Sequence, residues 1–186
     1  MSKLYTSESV TSGHPDKLAD LIADTILDEC LKEDPESHVA CEVMLAHNKC
    51  FLSGEITTEA VVNYIKIAKD VIKSVGYSTE GIEFESRIHE QSKDINQAVS
   101  KEVQGAGDQG IVYGYAVKET KELMPLEIVL AHNLAERLEI ARRRGEIKGY
   151  LPDGKTQITT ELKNGKKYIK TIIVSAQHEA YKTMMK

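Results

Sequence analysis

Three short stretches of the chain combine glycine with charged side chains in a way that could bind a phosphorylated ligand. They are Gly-Ala-Gly-Asp-Gln-Gly at residues 105–110, Gly-His-Pro-Asp-Lys at residues 13–17 and Pro-Asp-Gly-Lys at residues 152–155. Glycine allows backbone to approach a ligand more closely than a side chain would permit. Asp108 lies among three glycines, before an apolar run at residues 111–117 that predicts a buried strand. A glycine-rich turn that only leads into this strand would leave the same pattern.

The motif at residues 13–17 coincides with the predicted start of a helix. Residues 15–33 place proline at the first helical position and repeat apolar side chains at helical spacing. A helix N-terminus offers free backbone N–H groups and the positive end of the helix dipole, which both favour a phosphate. His14, Asp16 and Lys17 would then face such a ligand. In the simpler interpretation, Asp16 only stabilises the dipole and Lys17 is solvated.

Two acidic side chains fall on a predicted β-hairpin. Residues 38–46 alternate apolar and polar side chains, residues 50–56 form the returning strand, and the Asn-Lys pair at residues 48–49 is the predicted loop. This loop places Glu42 directly opposite Glu55, and like charges at opposed positions are destabilising. Solvent, a shared proton, or a cation or ammonium group between the carboxylates would relieve the repulsion.

Other patterns in the first half of the chain predict further elements. Residues 4–10 suit a short strand, the Thr-Thr pair at residues 57–58 is predicted to cap a helix whose apolar stripe covers residues 61–75, and residues 82–89 alternate as a strand. The polar stretch at residues 91–104 has no periodicity. Long segments of this kind are usually lids, binding loops or linkers, and both a lid and a plain linker suit this one.

The second half of the chain predicts a helix followed by a hairpin. Residues 126–144 form the helix, and three arginines at its C-terminal end suit the helix dipole better than they suit a nucleotide site. Strands at residues 157–162 and 168–175 flank an Asn-Gly pair, a strong signal for a tight hairpin turn. The Asp-Gly-Lys motif is predicted to precede the first of these strands.

Composition narrows the class of protein. The 186 residues are 41% hydrophobic and 28% charged, and the net charge of −5 argues against a nucleic-acid partner. No apolar run is long enough for a membrane span, and the first residues lack a signal-peptide pattern. Cys30, Cys41 and Cys50 have no metal-binding spacing, which favours reduced thiols and a cytoplasmic location.

Read together, the motifs resemble those of the S-adenosylmethionine synthetase (methionine adenosyltransferase) family. The matching stretches are Thr-Ser-Glu-Ser-Val at residues 6–10, Gly-His-Pro-Asp-Lys at residues 13–17, Cys41-Glu42, Gly-Glu-Ile-Thr-Thr at residues 54–58, Asp-Ile-Asn-Gln at residues 94–97, residues 104–116, and Pro-Asp-Gly-Lys-Thr-Gln at residues 152–157. They cover nearly the whole chain in one continuous order, and the glycine-rich stretch at residues 105–110 is the most specific of them.

The resemblance implies an α+β fold of repeated sheet-plus-helix units. Helices would cover one face of each sheet, and the other face would lie in the interface of a homodimer or larger homo-oligomer. It implies an N-terminal domain at residues 1–101, with a mobile loop at residues 91–101, and an incomplete central domain at residues 102–186. The family's later segments are expected to be missing: the second glycine-rich loop, with the lysines that grip the triphosphate, and the whole C-terminal domain.

The resemblance also implies a transferase reaction. ATP and L-methionine would give S-adenosylmethionine with release of phosphate and diphosphate, assisted by Mg²⁺ and K⁺. The methionine sulfur has no proton to lose, so the site needs mainly orientation and stabilisation of the departing polyphosphate charge. No nucleic acid or membrane is expected as a partner.

Site residues follow from the resemblance, position by position. His14, Lys17 and Asp108 would be catalytic, and Glu55 and Gln91 would bind methionine. The nucleotide would be bound by His14, Asp153, Gly154 and Lys155. The metal ligands would be Asp16 for Mg²⁺ and Glu42 for K⁺. An alternative hypothesis is a non-catalytic nucleotide-binding or assembly fragment of the same enzyme.

Overall fold

The computed structural model describes residues 3–90 and 109–180, which fold as an α+β protein with two three-stranded sheets. Its elements, in chain order, are β1 (Lys3–Val10), α1 (Pro15–Glu33), β2 (His38–Ala46), β3 (Lys49–Thr57), α2 (Tyr64–Val75), β4 (Glu83–His89), α3 (Leu126–Arg143), β5 (Tyr150–Lys163) and β6 (Lys166–His178). The fold class predicted from the sequence is confirmed. No helix in the described part of the chain is both long and apolar enough to cross a membrane.

The described residues form two compact units, and the first contains 3–17, Ser74–Ser78 and 115–180. Its sheet is antiparallel with the order β1-β5-β6, and α3 packs on β5 and β1. Alternate side chains of β5 are buried on one sheet face, including Thr156, Ile158 and Thr160. The predicted Asn-Gly hairpin is confirmed, because Asn164 (φ 51°) and Gly165 (φ 73°) take the left-handed conformations that such a turn requires.

The second unit contains Leu18–Lys73, residues 79–90 and residues 109–114. Its sheet has the order β2-β3-β4, with β2 and β3 antiparallel and β3 and β4 parallel. The core is built from α1, α2 and the central strand β3. Its fully buried side chains include Ile22, Ile26, Cys30, Cys50, Leu52, Ala68 and Ile72. The apolar side chains of α1 recur at helical spacing and are buried, and those of β2 alternate with exposed side chains, as predicted.

The three cysteines belong to this second unit, and they are free thiols as predicted. Cys30 and Cys50 are buried and Cys41 is half-buried. Burial raises the pKa of the Cys41 and Cys50 thiols to about 11, and for Cys41 the charge of Glu42 adds to the effect. A thiol with so high a pKa is inert at neutral pH, because the thiolate is the reactive form.

The predicted register of the first hairpin is wrong. Residues 47–48 form the loop, with His47 in a left-handed conformation (φ 51°), in place of the predicted loop at residues 48–49. Glu42 therefore pairs with Ser53, and Glu55 pairs with Ala40. The direct opposition of two carboxylates does not occur, since the pairing is shifted by two residues.

The predicted start of the second helix is also wrong. The Thr-Thr segment is hydrogen-bonded to Asp34 instead of starting a helix. Asp34 Oδ2 accepts hydrogen bonds from the Thr58 hydroxyl at 3.2 Å and the Glu59 N–H at 2.9 Å. The helix begins later, at Tyr64. Its N-cap is Asn63, whose Oδ1 accepts a hydrogen bond from the Lys66 N–H at 2.9 Å.

Two strand predictions require correction. Residues 111–117, predicted to be a buried strand, have no strand assignment, and Val112 is 96% exposed. The Asp-Gly-Lys motif does not precede the hairpin strand, because Asp153 and Lys155 lie within β5, which already begins at Tyr150. The β5 strand starts early because Tyr150 already pairs with His178 of β6, and the pairing with β1 begins at Lys155.

The arginines at the end of α3 do more than complement its own dipole. Arg142 donates to the Val75 carbonyl at 3.0 Å and Arg143 to the Ser74 carbonyl at 3.3 Å. Both guanidinium groups also pair with Glu139. They therefore satisfy carbonyls at the C-terminus of α2, which a helix leaves without intrahelical partners.

Candidate active site

Two of the three sequence motifs meet in the first compact unit. The Thr11 N–H donates to the Gly154 carbonyl at 2.9 Å, and the Thr11 hydroxyl donates to the Pro152 carbonyl at 2.7 Å. Gly13 packs so closely on Pro152 that an added Cβ would lie 2.7 Å from its carbonyl oxygen. The loop that leads into α1 is therefore fixed against the start of the Pro-Asp-Gly-Lys motif.

The His14 side chain is oriented at the N-terminus of α1. Its Nδ1 lies 3.3 Å from the Asp16 N–H and 3.9 Å from Asp16 Oδ2. A backbone N–H can only donate, so Nδ1 accepts and a neutral ring carries its proton on Nε2. His14 thus presents Nε2–H as the donor for a ligand.

The two lysines of the motifs have local partners at the protein surface. Lys17 Nζ donates to the Val10 carbonyl at 2.8 Å, and Lys155 Nζ lies 3.4 Å from Glu8 Oε2. Both side chains are exposed, so both ammonium groups can exchange these partners for an anion. Asp153 is half-buried on β5, and Gly154 is buried beside Thr11.

Several residues that sequence reasoning missed hold the loop at residues 11–13. Ser12 donates to Glu139 Oε1 at 2.8 Å, and Glu139 is in turn bound by Arg142 and Arg143. Burial opposes ionisation, but these hydrogen bonds outweigh it and lower the pKa of the Glu139 carboxyl. Glu139 therefore remains a charged acceptor. The Ser12–Glu139 contact joins residues 127 positions apart, and no local pattern signals it.

A cavity of about 360 Å³ lies between this loop and α3. Ser9, Lys17, His132 and Glu136 are among the side chains that line it. The Ser9 hydroxyl and His132 Nδ1 are hydrogen-bonded at 2.9 Å, which ties β1 to α3.

The remaining predicted site residues are elsewhere or are not described. Glu42 and Glu55 are exposed side chains of β2 and β3 in the second compact unit. Gln91, the loop predicted at residues 91–101 and Asp108 lie outside the described residues. Their roles stay predictions.

The described residues offer Mg²⁺ a partial site. No three His, Cys, Asp or Glu side chains within residues 3–90 and 109–180 are grouped so that they could hold a metal ion alone. Mg²⁺ usually keeps several waters and is bound by one or two carboxylates together with substrate phosphates. The Asp16 carboxylate, 92% exposed, fits that arrangement. For K⁺, Glu42 is an exposed carboxylate on β2 whose cross-strand neighbour is Ser53, and its role as a potassium ligand stays a prediction.

Comparison with known proteins identifies the class. The family model for the N-terminal domain of S-adenosylmethionine synthetase matches residues 2–104. The model for the central domain of the same family matches residues 103–186. An α+β chain with these two domains in sequence, and with the two motifs joined at α1 and β5, belongs to the S-adenosylmethionine synthetase family.

Individual relatives agree with this assignment. An S-adenosylmethionine synthase of Prochlorococcus marinus (strain AS9601) is 48% identical over 94% of this chain and 47% of its own length. Synthases of Brachyspira hyodysenteriae and Phocaeicola vulgatus are 45% and 47% identical, over 95% and 98% of this chain and 50% and 46% of their own lengths. The chain spans about half the length of the curated relatives it matches.

Proposed function

We propose that the chain contributes to the synthesis of S-adenosylmethionine from ATP and L-methionine, with release of phosphate and diphosphate. The observation that supports this most directly is the pair of Thr11 hydrogen bonds to Pro152 and Gly154. They bring together the two motifs that the resemblance assigns to the nucleotide. A cytoplasmic location and a homo-oligomeric state belong to the same proposal.

His14 is the group best placed to act on the leaving triphosphate. Because Nδ1 accepts from the Asp16 N–H, the Nε2–H is free to donate to the oxygen that separates from C5′. A donor aimed at developing negative charge stabilises the transition state more than the ground state, and this difference lowers the barrier. The N-terminus of α1 adds its positive dipole end at the same position.

The cationic side chains would serve the same charge. Lys17 and Lys155 are exposed lysines of the two joined motifs, and each can turn from its present partner to a phosphate oxygen. Asp16 would hold Mg²⁺, which when bound supplies positive charge that neutralises the polyphosphate. Glu42 would hold K⁺, as the resemblance implies, and no step is assigned to that ion.

Orientation of methionine is assigned to residues that the resemblance implies. Glu55 and Gln91 would bind the amino acid, and Asp108 would lie at the substrate site. The sulfur nucleophile needs no general base, so these groups would act by positioning.

A non-catalytic nucleotide-binding or assembly fragment is the second candidate. The observation that favours it is the small number of anion and metal ligands that the described residues bring together: one imidazole, two lysines and the Asp16 carboxylate. A triphosphate leaving group normally needs more positive charge than this.

One assay with two readouts separates the candidates. The chain is incubated with ATP, L-methionine, Mg²⁺ and K⁺, S-adenosylmethionine is measured by mass spectrometry, and MgATP binding is measured by calorimetry. The enzyme proposal predicts product, and its loss by at least about tenfold in His14→Ala, because one oxyanion donor is removed. His47→Asn is the matched control, since asparagine suits the left-handed turn position of His47.

Each outcome is decisive for one of the candidates. Binding of MgATP without product supports the non-catalytic fragment. Absence of both binding and product refutes catalysis and nucleotide binding by this chain, and favours the assembly fragment.

A further inference from the structure

Tyr77 connects the two motifs of the candidate site from a position that neither motif contains. It follows Gly76, which ends α2 in a left-handed conformation (φ 107°). Its hydroxyl lies 3.1 Å from the Gly13 carbonyl oxygen and 3.1 Å from Gln177 Oε1. The backbone of Asp153 also hydrogen-bonds the phenol oxygen. The Tyr77 side chain therefore contacts Gly13 in the first motif, Asp153 in the second motif, and Gln177 on β6.

Counting protons assigns the direction of these hydrogen bonds. A phenol has one hydrogen to donate and two positions at which to accept. The Gly13 carbonyl can only accept, so it receives the phenol hydrogen. The Gln177 amide can be turned so that its NH₂ donates to the phenol oxygen, and the Asp153 N–H fills the remaining position. All of the hydrogen-bonding capacity of Tyr77 is then used.

The environment keeps the phenol in its donor form. Burial, and after it the charge of Asp153, raises the pKa of Tyr77 to about 12. The hydroxyl is therefore protonated throughout the neutral range and can donate to Gly13.

Holding the Gly13 carbonyl also fixes His14. The peptide unit is planar, so the plane that contains the Gly13 C=O also contains the N and Cα atoms of His14. The His14 N–H is bound to the Thr11 carbonyl at 3.1 Å on the other edge of this plane. With both edges held, the direction in which the His14 side chain leaves the backbone is set.

We propose that Tyr77 is a positioning residue, which donates to the Gly13 carbonyl, orients His14 toward a bound polyphosphate, and couples that loop to Asp153. The proposal rests on the nucleotide site proposed above. It does not require Tyr77 to touch the nucleotide.

The test uses Tyr77→Phe, which removes only the hydroxyl. MgATP affinity is measured by calorimetry, and the His14 imidazole is followed by ¹H–¹³C NMR, with His14→Gln to assign its signals. We expect the Kd to rise about fivefold, as for the loss of one neutral hydrogen bond, and the His14 signals to shift without nucleotide. Tyr168→Phe on β6 is the matched control and should change neither readout.

The affinity measurement tests the nucleotide site, and the His14 signals test the role of Tyr77 independently of it. If the unchanged chain does not bind MgATP, the nucleotide proposal is wrong, and the His14 signals still decide the role of Tyr77. Wild-type affinity and unmoved His14 signals in Tyr77→Phe would overturn the positioning role.

A second variant covers the case in which Tyr77→Phe does not fold. Gln177→Met leaves the hydrogen bond to Gly13 in place, so a much smaller shift of the His14 signals is expected. A large shift in Gln177→Met would contradict the assignment of Gly13 as the functional partner.

Discussion

Gly13 shows how one missing side chain can bring two parts of a site together. Its backbone lies against Pro152, and a Cβ at this position would lie 2.5 Å from the Pro152 carbonyl carbon and 2.7 Å from its oxygen. Both contacts are to backbone, which cannot rotate away as a flexible side chain could. Only glycine therefore permits the Thr11 hydrogen bonds to form at their observed lengths.

We expect Gly13→Ala to lower the free energy of unfolding by about 1–3 kcal/mol, because the loop and β5 must separate to admit the methyl group. Urea denaturation gives the value, and MgATP affinity should fall with it. Gly114→Ala is the matched control, because nothing lies within 4 Å of its added Cβ and its φ is ordinary. Equal stability of the two variants would contradict the close approach.

At the scale of elements, an ion cluster connects α3 with β6. Lys167 Nζ on β6 lies 2.9 Å from Glu127 Oε2 and 2.7 Å from Glu119 Oε2. The Thr160 hydroxyl donates to Glu127 at 3.0 Å, and Glu127 is only 4% exposed. Burial opposes the charge of Lys167, but its hydrogen bonds to the two carboxylates outweigh burial and raise its pKa.

We expect Lys167→Met to cost about 3 kcal/mol, because it leaves the Glu127 carboxylate buried without a cation. Adding Glu127→Gln removes that charge while its amide still accepts from Thr160, so the double variant should recover at least half of the loss. Urea denaturation of the four proteins of this cycle measures the coupling. Lys66→Met, at the exposed pair with Asp70, should change stability by less than about 0.5 kcal/mol. Simple additivity of the two changes would show that the cluster contributes little.

Local patterns predicted the elements whose causes are local. Helix α1 begins at Pro15 and the second hairpin turns at Asn-Gly, because proline and that dipeptide fix the backbone directly. The first hairpin was misplaced because His47 adopts a left-handed conformation that its side chain does not signal. The cap of α2 was misplaced because Asp34, more than twenty residues earlier, binds Thr58.

In the candidate site, too, the features with local causes could be predicted and those that depend on distant residues could not. The motif residues could be found because their types match the chemistry of a phosphate site. Tyr77 could not be found, since its role depends on Gly13 and Gln177, which are 64 and 100 positions away. Its only local mark is its position after the glycine that ends α2.

At the scale of the whole molecule, the sheet of the first unit extends beyond the helix that covers it. Ile169, Ile172 and Val174 of β6 stand opposite Thr160, Ile158 and Thr156, on the face that α3 buries in β5. They are nevertheless 52%, 55% and 47% exposed. In β2 of the second unit, by contrast, the apolar residues Val39, Cys41, Val43 and Leu45 share one face and are half-buried.

The last prediction is that the chain self-associates through this uncovered face of β6. Contiguous exposed apolar side chains usually mark an interface, and among the described strands β6 is at the edge of its sheet, where backbone groups are open to a further strand. Sedimentation at micromolar concentrations should show a dimer or larger species. Ile172→Lys should weaken association by at least about tenfold, since it places a charge at the centre of the cluster. Ile173→Lys is the matched control, because Ile173 stands opposite Gln157 on the other face of the sheet. A monomeric wild-type chain would refute self-association, and loss of association only in Ile173→Lys would place the interface on that other face.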